Sequence, residues 1–139
     1  MRSFLAAVVL VLVSCAGPSP ATTTEPIQQA EALPLQIAFQ GLCDARTAAT
    51  AGDAVSASDF FQDRSHAYLH EFASGISVAD REGTARLLEA KQMVETQLAD
   101  PESADPQAVA GALATLETAL ADAAETAGFE RPVCGMVAP

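Results

Sequence analysis

Residues 105–128 read DPQAVAGALATLETALADAAETAG. Asp105 is an acid placed to cap a helix. Pro106 stands in the first turn, where the N–H it lacks would have no partner anyway. Val109, Leu113, Leu116, Leu120 and Ala124 then recur at three- and four-residue spacing, one stripe of a helix, and Gly128 occupies the place of a left-handed closing residue. The alternation that marks a half-buried strand is missing here and over every useful length of the chain.

Working outward from this stretch gives three more helices. Ser77-Val78-Ala79-Asp80 resembles a capping box with a shortened acid and opens a helix through Leu87, Leu88, Val94 and Leu98, closed by Asp100-Pro101. Ser58 is placed to cap a helix whose Phe61, Tyr68, Leu69, Phe72 and Ile76 share one face, with Gly75 near its end. Pro34 is read as a first-turn residue, followed by Leu35, Phe39, Leu42 and Ala49 at helical spacing and ended by Gly52-Asp53. The expectation is an all-α domain over residues 35–139, a small four-helix up-and-down bundle in which sequence neighbours are spatial neighbours. Half of the residues are hydrophobic, but many are alanine, and there is no Trp and one Tyr, so the core is thin.

The first residues have a different character. Arg2 supplies a positive start and Phe4 to Val13 an apolar run of about ten residues, too short to span roughly 30 Å of hydrocarbon. This is the pattern of a secretory signal. Leu12-Val13-Ser14-Cys15 resembles the bacterial lipobox. The resemblance implies a signal peptide over 1–14, cleavage before Cys15, and diacylglyceryl and palmitate attachment at Cys15. It places the chain on the outer face of the cytoplasmic membrane, or in the outer membrane of a diderm host. An ordinary signal peptide with an incidental cysteine is the alternative. Residues 15–34, with Pro18, Pro20, Pro26 and Pro34 among Gly, Ser, Thr and Gln, read as a disordered tether reaching up to about 60 Å.

With Cys15 assigned to lipid, Cys43 and Cys134 remain. In an exported domain a disulfide is the default for such a pair. An up-and-down bundle permits it, because the tail after Gly128 leaves from the end where the first helix begins. A loop of about 90 residues closed in this way contributes roughly 4–5 kcal/mol at most. The rivals are a redox pair, disfavoured by the lack of a C-x-x-C spacing, and a Cys/His metal site.

Asp59, Asp63, His66 and His70 form the one chemically suggestive cluster. Histidines at i and i+4 point from one side and can chelate an ion such as Zn or Cu. His66-Ala67-Tyr68-Leu69-His70 resembles the zinc-metalloprotease motif in histidine spacing alone, since Ala67 stands where that motif needs a catalytic glutamate. Asp63 is the neighbouring carboxylate, but it lies about 10 Å from His70 along the axis, so a third ligand must come from another helix or chain. At about 100° per residue the cluster faces away from the apolar stripe, which favours a plain solvated face. A pH-sensing Asp63–His66 pair is a further alternative.

The net charge of −11 excludes nucleic acid and anionic lipid headgroups as direct ligands. No phosphate-binding glycine loop or nucleophile elbow is visible. The sequence therefore predicts a membrane-anchored envelope lipoprotein whose non-enzymatic helical module serves a protein partner or an envelope process. The alternative is extracytoplasmic transition-metal binding or delivery through His66 and His70.

Overall fold

The computed structural model describes residues 25–135. The leader, Cys15 and the first part of the spacer lie outside the described residues. Helix α1 runs over Glu25–Thr50. Helix α2 begins as Ala54–Phe60, passes through a π-helical turn at Phe61–His66 and finishes as Ala67–Ile76. Helices α3 and α4 span Arg81–Gln97 and Pro106–Thr126. Helix α1 packs on α2 and α4, and α3 packs on α4 and on the last part of α2, which closes a four-helix up-and-down bundle.

The α4 stripe builds the centre of the core: Val109, Leu113, Leu116, Leu120 and Ala124 are all fully buried. Leu42, Phe61, Leu69, Leu87 and Val94 meet them from the other three helices. Alanines at 45, 49, 57, 90 and 112 occupy the remaining inward positions, which keeps the core thin. Phe129 covers one end with its ring 6.0 Å from that of Phe72.

Two helix ends follow one device. After α1, Gly52 takes φ +91° while its N–H reaches Ala49 O and the Asp53 N–H reaches Ala48 O. After α4, Gly128 takes φ +88° with the same pair of bonds, to Glu125 O and Ala124 O. Both are Schellman closures, which a residue with a Cβ would strain. Asp105 caps α4 as its sequence announces, accepting from Gln107 N at 3.0 Å.

Other boundaries move. Helix α1 starts at Glu25 and holds Pro34 inside it, so residues 25–34 of the expected tether are helical. The run between Pro26 and Pro34 consists of Gln, Ala, Glu and Leu with one Ile, mostly strong helix formers that carry the helix across the proline. Helix α2 is capped by Asp53 rather than Ser58, because the turn after Gly52 aims the Asp53 carboxylate at Ser56 N, 2.9 Å away. Helix α3 is capped by Asp80, which accepts from Gly83 N at 2.8 Å, while Ser77 ends α2. Leu88 is 39% exposed; the inward place one turn after Leu87 belongs to Lys91.

The tail returns along α1 as the bundle topology allows. Gln36 Nε2 donates to Val133 O, Gln40 Oε1 accepts from Gly135 N, and Cys43 is bonded to Cys134 with Cα atoms 5.8 Å apart.

Candidate metal centre

The π turn decides where the histidines point. Its i→i+5 bonds accommodate one more residue than an α-turn and rotate everything after it by roughly one residue's 100°. Phe61 and Ser65 are both fully buried across this turn. The Ser65 hydroxyl donates to Ala38 O of α1 at 2.8 Å, which ties the turn to its neighbour. Gly41 of α1 permits the approach: a Cβ there would meet Arg64 Cβ and Ser65 Oγ, each at 2.6 Å. His66 ends the turn and faces α3 instead of open water.

Across that interface His66 Nε2 lies 2.8 Å from Glu95 Oε1. Lys91 Nζ donates to the same oxygen at 2.6 Å. His70, one turn after His66, meets it edge to face, with ring centroids 5.1 Å apart. Phe61 closes the inner side, its ring 5.7 Å from that of His66. One ligand atom from each of His66, His70 and Glu95 fits within 4.8 Å of the others.

Asp63 stays exposed and outside this group, as does Asp59; the acid that joins the histidines comes from α3. The simple helical wheel predicts a water-facing cluster, and it does so correctly for Asp59, Asp63 and His70. It misses the turn of His66, about one-third exposed, onto Glu95 of α3. Sequence reasoning passed over Glu95 and Lys91, yet a signal for them existed. Lys91 is the chain's single lysine, sits on the α3 stripe between Leu87 and Val94, and has Glu95 at i+4.

His66 and Glu95 side chains are 31% and 37% exposed, so the centre is half open to solvent. Burial pushes the Glu95 carboxyl up, but hydrogen bonds from Lys91 and His66, together with their charge, outweigh it and hold the carboxyl below its usual range. Two imidazoles and one carboxylate on two packed helices suit Zn²⁺, Cu²⁺ or Ni²⁺, whereas Ca²⁺ and Mg²⁺ call for oxygen-dominated shells. A tetrahedral ion with bonds of about 2.0–2.2 Å keeps its ligand atoms roughly 3.4 Å apart, within side-chain rotation of the observed spread. Three protein ligands leave a fourth position open. Ala67 still stands where a metalloprotease carries its general base.

A second group, Cys43, Glu117 and Cys134, is a staple rather than a centre. The sulfurs are bonded to each other, and Glu117 is held by Arg46 Nε at 2.7 Å. An open groove of about 650 Å³ between α3 and α4 is lined by Arg86, Ala90, Met93, Ala114, Thr118 and Asp122, among others, with no histidine or cysteine in its walls. Among the described residues, the side chains free to act together as metal ligands therefore gather on the α2–α3 side. No helix among the described residues is long and apolar enough to cross a membrane. No protein-family model, curated protein or solved structure matches this chain.

Proposed function

We propose that this chain is an envelope lipoprotein, anchored through Cys15, whose non-enzymatic four-helix module binds a transition-metal ion outside the cytoplasm through His66, His70 and Glu95. The observation that carries the reading is the convergence of these three side chains from α2 and α3 within 4.8 Å. It ranks above the protein-partner role because that role rests only on the sequence order of anchor, spacer and acidic domain. Ala67 supports binding without catalysis, since it leaves the position of the metalloprotease general base without a carboxylate.

The test is titration of the full chain in detergent with Zn²⁺, Cu²⁺ and Ni²⁺. The proposal expects micromolar or tighter binding of at least one ion, lost in His66→Ala, His70→Ala and Glu95→Gln. Wild-type protein that binds none of the three, or binding indifferent to these substitutions, overturns it. The anchor is tested separately: intact mass in the native host should show processing before Cys15 and an acylated terminus, and an unmodified Met1 terminus rejects it.

A further inference from the structure

Lys91 is 2% exposed, in a bundle whose inward positions are mostly Leu, Val, Phe and Ala. Ammonium groups are rarely buried without a partner, because leaving water is expensive and the pair regains it only with good geometry. Position 91 lies on the buried stripe of α3, where methionine or leucine would fill the same space uncharged. The chain instead places its one lysine there and delivers Nζ to Glu95 Oε1, the oxygen that His66 also contacts.

We propose that Lys91 is the specificity-determining residue of the His66–Glu95–His70 centre: its buried ammonium acts as a resident cation on Glu95, weakens the hold on an entering divalent ion and keeps the centre exchangeable. The inference rests on the metal reading above. With Lys91 in place, the ligand set presents a carboxylate already neutralised, so an ion enters a site with no net attraction for charge alone. Hard cations, which depend on carboxylate charge, lose most by this, while ions with real affinity for imidazole nitrogen retain theirs. Glu95 keeps its second oxygen for the ion, but the ammonium 2.6 Å from the first repels it at close range, screened only in part by the water that reaches Glu95. A centre of this kind suits transfer of a metal better than storage.

The experiment compares Zn²⁺ affinity, by competition with a chromophoric chelator, in the wild-type full chain, Lys91→Met and Lys91→Gln. Circular dichroism confirms the fold of each variant. Met removes charge and hydrogen bond; Gln removes the charge and keeps a donor. Zn²⁺ binding is expected to tighten by roughly tenfold or more in every folded variant, as removal of a unit charge at this distance requires. Unchanged or weaker binding in the variants, with wild-type binding intact, overturns the role of Lys91 and leaves the proposed function standing. Binding by Lys91→Met but not by wild type removes the proposed function and, with it, the exchangeable centre that Lys91 is proposed to maintain. Binding by none of the three removes both.

Discussion

His66 of α2 and Lys91 of α3 meet on one atom: both place a nitrogen within 2.8 Å of Glu95 Oε1. The two donors differ in their access to water. Lys91 is buried, whereas His66 and Glu95 are each about one-third exposed. Removing the shared carboxylate therefore strands the ammonium, while removing the ammonium leaves a carboxylate that water can still reach.

That asymmetry gives the first prediction. Metal-free Glu95→Gln should lose about 1–3 kcal/mol in urea unfolding, below the figure for a fully buried pair because Glu95 is partly solvated. Lys91→Met should fall within about 1 kcal/mol of wild type or exceed it, since a buried ion pair exchanged for apolar packing is often neutral or stabilising. The double variant should recover most of the loss of Glu95→Gln. Equal destabilisation by both single substitutions would refute the stranded-charge account.

The lowered Glu95 carboxyl predicts a pH dependence with a definite sign. A carboxyl held below its usual value of 4.5 in the folded state contributes its full stabilisation above that value, where it is ionised both folded and unfolded. The contribution disappears as the pH falls from 4.5 through the lower folded-state value, because folding then opposes protonation. Melting curves in chelator from pH 7 to 3 should show the gap between wild type and Glu95→Gln narrowing below 4.5. A gap that widens on acidification contradicts the assignment.

The bundle was largely readable from residue types, and its metal centre only half so. Val109 through Ala124 announce α4, and Asp105 and Gly128 announce its ends, because those signals are local. Asp53 and Asp80 displaced Ser58 and Ser77 as caps because the turn geometry before each helix selects which side chain reaches a free N–H. His66 and His70 could be paired from their spacing. Lys91 and Glu95 could be paired in the same way, but nothing local joins that pair to the histidines, since the meeting depends on the register of α3 against α2.

The Cys43–Cys134 bond joins the last described segment to α1 across 91 residues of sequence. In a core this rich in alanine its removal should weigh heavily: Cys43→Ser/Cys134→Ser is expected to lose about 2–5 kcal/mol. At roughly 4–8 °C per kcal/mol for a domain of this size, the melting temperature should fall by at least about 8 °C. The tail contacts of Gln36 and Gln40 should loosen with it, visible as faster amide exchange at Gly135, whose N–H bonds to Gln40. A melting point unchanged by the double substitution would show that the tail is held without the bond.

Gly41 tests the link from packing to site. The α1 helix and the π turn approach so closely there that an added Cβ falls 2.6 Å from both Arg64 Cβ and Ser65 Oγ. Ser65 is fully buried with its hydroxyl on Ala38 O, so it has little room to rotate away, and Arg64 Cβ is fixed to the backbone. Gly41→Ala gains helix propensity in α1 but must push the turn outward, and overpacking of this kind typically costs about 1–3 kcal/mol. The displaced turn carries His66, so its contact with Glu95 should weaken as well. The substitution is therefore expected to lower both the unfolding free energy and the Zn²⁺ affinity, although residue 41 touches no ligand. Lowered stability with unaltered Zn²⁺ affinity would mean that His66 keeps its aim without the close α1 contact, and that the π turn is maintained by α2 alone.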